Sequence, residues 1–248
     1  MPALDWLVAR PIAHRALHDA AAGIVENTSS AVDAAIAGDF AIEVDVQLSA
    51  DGEAVVFHDD DLDRLTTATG PVNALTTQQL QQVDFRGTAD RMLTLPELLA
   101  RVAGRVPLLI ELKSRFDGAD GIARRTVELV ARYSGKAALM SFDPDLVATV
   151  RRIAPAIPRG ITMEHRYDDP EWDFLSRSTK FAWGNLLHYS DTKPDFIAHY
   201  VKDLPSPAVA AIRAQHGTPL LAWTVRTPED RQTARRHADQ MIFEGFRP

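Results

Sequence analysis

Apolar and polar positions follow a repeating order along most of the chain. Short apolar runs, rich in β-branched residues and leucine, alternate with longer segments whose apolar residues recur at helical spacing. The runs read as strands at Pro11–His14, Phe40–Val46, Pro107–Leu112, Ala137–Ser141, Arg159–Thr162, Phe181–Leu187, Pro219–Thr224 and Gln240–Glu244. Helices are predicted at Ser30–Ala37, Gly121–Tyr133, Asp145–Ile153, Asp169–Arg177, Pro194–Tyr200, Pro207–His216 and Pro228–Arg236. Thr94-Leu95-Pro96-Glu97 opens a further helix, with proline and glutamate in its first turn. Thr28 or Asn27 is placed to cap the first of these helices, and Gly38 to stop it. This strand-then-helix order predicts an α/β fold, a TIM (β/α)₈ barrel, provided the segment Ala54–His58 is a hairpin arm rather than a barrel strand. The polar, threonine-rich stretch from Asp60 to about Arg91 reads as an excursion above the barrel with a short helix at Thr76–Val83. The expectation is one domain over residues 1–248, with a small cap-like insertion at about 47–93, after the second strand.

A length of 248 residues, 46% of them hydrophobic and 25% charged, is that of an ordinary barrel-sized globular protein. No apolar stretch approaches the roughly 20 residues that span a bilayer, so no membrane span is expected. The N-terminal MPALDWLVARPIAHR carries an early acid and lacks a leader-like apolar run, which makes a cytoplasmic location the expectation. Without cysteine, disulfides, thiol nucleophiles and thiolate-bound zinc are excluded. A formal charge of −7 with no basic stripe argues against nucleic acid as partner. Oligomeric state is not legible.

Candidate chemistry starts in Ile42–Asp59, two extended segments joined by Ala50-Asp51-Gly52. Strand alternation puts Glu43 and Asp45 on one face and Ile42, Val44 and Val46 on the other. Two such carboxylates on a buried strand repel one another and lose hydration. A divalent cation with a taste for oxygen ligands, Mg²⁺ or Ca²⁺, lets both stay ionised. Folding back symmetrically about Asp51 and Gly52 would set His58 opposite Asp45. Further ionisable groups stand where other barrel strands end, the catalytic end of such barrels: His14 and Arg15 after the first, Glu111 and Lys113 at the third. Each alone reads as well as structure: His14 as a core histidine, Arg15 as a partner for Glu26, Glu111 and Lys113 as an ion pair. Together they are able to bind a metal, neutralise a phosphate and move protons.

HR (His14-Arg15), ENT (Glu26 to Thr28), IEVDVQLSADG (Ile42 to Gly52), VVFHDDDLDRLT (Val55 to Thr66), IELK (Ile110 to Lys113), SFDP (Ser141 to Pro144) and AWTV (Ala222 to Val225) together resemble the glycerophosphodiester phosphodiesterases. The resemblance implies a TIM barrel inserted after its second strand and a metal on Glu43, Asp45 and Glu111. It further implies catalytic histidines at His14 and His58, and phosphate contacts from Arg15 and Lys113. Glu26, Asn27 and Trp223 are candidate pocket residues. Ala16 stands where the family has glycine, so the loop is expected to avoid a glycine-only conformation. The ending Phe243-Glu244-Gly245-Phe246-Arg247-Pro248 and the segment Gly184–Pro205 depart from the family pattern, which leaves the leaving alcohol open.

The implied reaction is metal-dependent hydrolysis of a small-molecule glycerophosphodiester to sn-glycerol 3-phosphate and an alcohol. One histidine takes a proton from the attacking hydroxyl, of water or of the substrate itself, and the other gives one to the departing alcohol. The alternatives are a phospholipase C- or D-like enzyme acting on a lysolipid, which calls for an exposed apolar rim, and a catalytically idle phosphodiester-binding protein.

Overall fold

The computed structural model describes residues 4–248; residues 1–3, the head of the N-terminal stretch discussed above, lie outside the described residues. Eight parallel strands close into a barrel: β1 Ile12–Ala13, β2 Ala41–Leu48, β4 Leu108–Leu112, β5 Ala137–Ser141, β6 Arg159–Met163, β7 Phe196–Tyr200, β8 Leu220–Val225 and β9 Gln240–Phe243. Pairing of β1 with both β2 and β9 completes the circle. The remaining strand, β3 Ala54–Val56, is the antiparallel arm folded onto the end of β2. Helices α1 Asp5–Val8, α2 Ser29–Ala37, α3 Thr77–Leu80, α4 Leu95–Val102 and α5 Gly121–Val130 belong to the first half of the chain. They are followed by α6 Pro144–Ile153, α7 Arg177–Gly184, α8 Tyr189–Thr192, α9 Pro207–His216 and α10 Pro228–His237. Among the described residues no helix is long and apolar enough to cross a membrane.

Strand alternation divides the hydrocarbon into two layers. Ile42, Val44 and Val46 point outward and pack with Ala31, Val32, Leu95 and Leu98 of the helices. Inward, Ile12, Ala41, Leu109, Ala138, Phe196, Ala198, Leu221 and Ile242 fill the floor of the barrel. Inward positions nearer the C-terminal strand ends carry Glu43, Asp45, Glu111 and Thr162 instead. The insertion has an apolar centre of its own, in which Phe57, Leu62, Val72, Leu80, Phe85 and Met92 pack around Val55.

Several expectations need correction. Phe181–Leu187 is not a strand: its apolar residues serve α7 and the turn after it, with Phe181 and Leu187 facing out. The seventh barrel strand is Phe196–Tyr200, expected as a helix. Its alternation places Phe196 and Ala198 in the floor and Ile197 among the outer hydrocarbon. Asp169–Arg177 is not a helix either; Pro170–Trp172 makes one 3₁₀ turn, and α7 starts only after the Ser176 cap. The hairpin is shifted by one residue. Val46 pairs with Val56, and the Phe57 amide donates to the Asp45 carbonyl, so Phe57 rather than His58 faces Asp45. Neither Asn27 nor Thr28 caps α2 through its side chain. Asp90, from the insertion, accepts from Ser29 Oγ and the Ser30 amide instead. Finally, Ala16 does adopt the left-handed conformation at φ +62°, next to Arg15 at +51°. A methyl side chain tolerates this region at modest cost, and the backbone there is tied down on both sides: the Ala16 amide donates to the Glu43 carbonyl and the Arg15 amide to Glu43 Oε2.

Candidate active site

The C-terminal end of the barrel opens into a cavity of about 220 Å³, whose lining includes His14, Arg15, Glu43, Asp45, His58, Glu111 and Lys113. These groups come from β1, β2, the arm after β3, and β4, so barrel closure rather than sequence proximity assembles them. Register sets Asp45 of β2 directly beside Glu111 of β4. Ligand oxygens of Glu43, Asp45 and Glu111 lie within 4.8 Å of one another, and all three side chains are buried.

Such crowding has a definite electrostatic result. Burial, reinforced by the neighbouring Asp45 and Glu111 charges, pushes the Glu43 carboxyl well above the usual carboxylate range. Burial also raises Glu111, against the pull of Lys113. Burial would raise Asp45 as well, but the positive charges of His58, Lys113 and Arg15 hold it far below that range. The cluster is thus driven to hold a proton where a divalent cation would balance it better. Three converging carboxylates are an oxygen donor set suited to Mg²⁺ or Ca²⁺, so the residues present fit a metal.

Second-layer contacts fix each group. Asn27 Nδ2 donates to Asp45 Oδ2 at 2.9 Å. Lys113 Nζ lies 3.2 Å from Glu111 and 3.8 Å from Asp45. Arg15 pairs with Glu26 at 2.7 Å, the bland reading of that residue, yet its Nε also stands 3.8 Å from Asp45 and it borders the cavity. Glu26 and Asn27 therefore act from behind the wall, by holding Arg15 and Asp45. Trp223 does line the cavity.

The histidines have matching supports. His14 Nδ1 meets Glu244 Oε2 at 2.5 Å, and Arg226 grips the same carboxylate at 2.9 and 3.1 Å. His58 Nδ1 meets Asp59 Oδ1 at 2.8 Å, and Arg64 holds Asp59 at 2.6 Å and Glu26 at 2.7 Å. Both carboxyls are held below the usual range. Burial opposes this, and hydrogen bonds from His58 and Arg64 overcome it at Asp59, from His14 and Arg226 at Glu244. An ionised carboxylate only accepts, so each imidazole carries its hydrogen on Nδ1 and leaves Nε2 for chemistry. Burial lowers His14, with Glu244 resisting, which favours the neutral ring.

Glu244, Arg226, Asp59 and Arg64 were given no role from sequence, although Asp59 and Arg64 lie in a motif that carries the resemblance. Glu244 carried a usable signal, an acid just past the last barrel strand. The same cavity is also bordered by Phe116, Phe142, Thr162, Glu171 and Trp172, none of which was assigned a role from sequence.

A carboxylate triad flanked by two braced imidazoles and two cations, at the mouth of a parallel barrel, defines a phosphodiester-cleaving type of site. The chain belongs to the Glycerophosphoryl diester phosphodiesterase family, whose pattern it matches over residues 14–243. It is 31% identical over 220 residues to YhdW of Bacillus subtilis, a match covering 84% of either chain. To a glycerophosphodiester phosphodiesterase of Caldanaerobacter subterraneus it is 27% identical over 219 residues, covering 84% of this chain and 83% of that one. In three dimensions it resembles an Oleispira antarctica phosphodiesterase solved with the product sn-glycerol-3-phosphate. That match has a TM-score of 0.78 at 21% identity and covers 96% of this chain and 94% of the other.

Proposed function

We propose that the protein hydrolyses a glycerophosphodiester to sn-glycerol 3-phosphate and an alcohol, using a divalent cation, Mg²⁺ or Ca²⁺, on Glu43, Asp45 and Glu111. The observation that carries this reading is that His14 and His58 border one cavity with that triad, each with its Nδ1 on a carboxylate. The product complex of the Oleispira antarctica relative and the names of the curated relatives support the substrate class.

When bound, the cation would polarise a phosphoryl oxygen and favour attack at phosphorus. Arg15 and Lys113 offset charge on the other phosphoryl oxygens. One imidazole Nε2 takes the proton of the attacking hydroxyl, and the other delivers one to the departing alcohol oxygen. Glu244 and Asp59 stabilise each imidazolium as it forms, which the neutral, buried His14 needs most. Asn27 and Glu26 keep Asp45 and Arg15 aimed while charge moves.

A second reading, hydrolysis of a lysolipid, draws on one feature. Phe174, Phe181 and Leu187 are 58%, 65% and 62% exposed, and the Phe174 ring stands 5.0 Å from that of Phe116 on the cavity wall. A panel of water-soluble glycerophosphodiesters and lysolipids, assayed with each metal, separates the two. The primary reading expects glycerol 3-phosphate from the soluble diesters in the absence of any lipid surface, and fails if only lipid substrates turn over.

A further inference from the structure

Arg64 belongs to the insertion, is half-exposed and takes no part in the cavity lining. Its guanidinium nevertheless reaches two carboxylates of the site, each with a forked pair of hydrogen bonds. Nε and Nη2 donate to Asp59 at 2.6 and 2.9 Å, while Nη1 and Nη2 donate to Glu26 at 3.0 and 2.7 Å. Each acid passes the contact inward. Asp59 Oδ1, one of the oxygens that Arg64 holds, also meets His58 Nδ1 at 2.8 Å. Glu26 Oε1, shared in the same way, accepts from Arg15 Nη1 at 2.7 Å. The result is one unbroken chain, Arg15–Glu26–Arg64–Asp59–His58, with only its ends on the cavity.

Charge alternates along the acids and guanidinium groups of this chain, so each link supports the next. Burial opposes ionisation of Glu26; hydrogen bonds from Arg64 and the charge of Arg15 overcome it and hold the carboxyl below the usual range. The backbone that carries Arg64 is itself anchored. Leu62 and Leu65 on either side pack into the apolar centre of the insertion, and the Thr66 hydroxyl and amide both donate to the Leu62 carbonyl. A lone exposed ion pair contributes little. Two forked pairs on one planar guanidinium differ, because its fixed donor directions set both acids at once. A lysine ammonium keeps the charge but has no such plane.

We propose that Arg64 is a positioning residue for both working groups of the site, fixing His58 through Asp59 and Arg15 through Glu26. The proposal rests on the phosphodiesterase reading above and deepens it. Docking of the insertion, and not barrel closure alone, then makes the site competent. One side chain outside the cavity aims both the imidazole that moves a proton and the guanidinium that meets the phosphate.

The test uses the full chain with Mg²⁺ or Ca²⁺ and a soluble glycerophosphodiester, and Arg64→Lys, which keeps the charge, carries the main comparison. It should lower kcat about 10²-fold, the cost of a misplaced reacting group, and raise KM several-fold as Arg15 loses its hold. Asp59→Asn should reproduce mainly the fall in kcat, and Glu26→Gln mainly the rise in KM. In the Arg64→Lys background either acid substitution should cost less than in wild type. In Arg64→Ala, millimolar guanidinium chloride should restore part of kcat where sodium chloride does not. Inorganic phosphate, titrated by calorimetry, should bind Arg64→Lys several-fold more weakly than wild type, which reads Arg15 without turnover. A clamp that only holds the insertion down would lower the melting temperature and leave kcat, KM and phosphate affinity unchanged in the folded variant. That result overturns the proposal while leaving hydrolysis intact. If the wild type hydrolyses no glycerophosphodiester, the phosphodiesterase reading fails, and the phosphate titration still decides whether Arg64 governs Arg15.

Discussion

Glu244 and His14, separated by 230 positions in sequence, are joined by a 2.5 Å contact between Oε2 and Nδ1 across the seam where β9 meets β1. A carboxylate there fixes the tautomer of His14 and supports its protonated form. Glu244→Gln keeps the shape and loses the charge. It should lower kcat on the order of 10²-fold with little change in KM. Because Glu244 raises the His14 pKa, its loss lowers that pKa further, and any limb of the pH–rate profile due to His14 moves toward acid. An unchanged kcat and profile would remove Glu244 from the machinery.

His14→Ala and His58→Ala should each reduce kcat by at least about 10²-fold, the lower end for a lost acid or base. Circular dichroism and thermal melting should stay those of the folded protein. A variant that turns over at close to the wild-type rate frees that histidine of its role.

Glu164 gives a pH signature independent of catalysis. Burial, with help from Glu171 and Asp169, pushes its carboxyl from 4.5 up to about 7, against the Trp172 hydrogen bond. Between these values the folded protein holds a proton that the unfolded chain has released. Stability therefore falls as pH rises from about 4.5 to about 7 and is level beyond. Glu164→Gln should remove that loss, unfolding later in denaturant at pH 8, by roughly 2–3 kcal/mol at most, and with no gain near pH 4. Parallel pH dependences for wild type and variant would contradict the assignment.

Much of the barrel was legible because burial leaves a plain mark on sequence. Ile42–Val46 and Leu108–Leu112 are apolar runs whose few acids alternate in register, so both the strands and the facing carboxylates could be read from them. The Thr94–Glu97 capping box likewise announces α4. The stretch from Asp169 to Tyr200 misled for a physical reason. Trp183, Gly184 and Leu186 give α7 and its following turn a continuous apolar look that periodicity cannot tell from a strand. The true strand, Phe-Ile-Ala-His-Tyr, is short and carries His199 on its outer face, fully buried and bonded through Nδ1 to the Tyr200 carbonyl. Glu244, just past the last strand, and Asp59, next to His58, were within reach of the sequence, but the pairings of Arg64 with Glu26 and of Glu244 with His14 form only once the barrel closes and the insertion folds over it.

Gly184 shows how tightly that misread region is packed. A Cβ there would come within 2.1 Å of the His165 carbonyl oxygen, part of the loop after β6. Gly184→Ala should cost about 1–3 kcal/mol in unfolding free energy, as overpacking against backbone does. It should also disturb Trp183, which packs on Phe116 of the cavity wall at 5.6 Å. Wild-type stability in this variant would mean that the helix is free to shift.

Hydrolysis is proposed to depend on a divalent cation held by Glu43, Asp45 and Glu111. The decisive experiment is phosphorus NMR of a glycerophosphodiester incubated with chelator-stripped protein, before and after Mg²⁺ or Ca²⁺ is restored. The diester signal should persist without metal and convert to glycerol 3-phosphate once metal returns, with Asp45→Asn silent in both states. Conversion that proceeds at full rate in stripped protein, or in Asp45→Asn, would show that the carboxylates hold no catalytic cation.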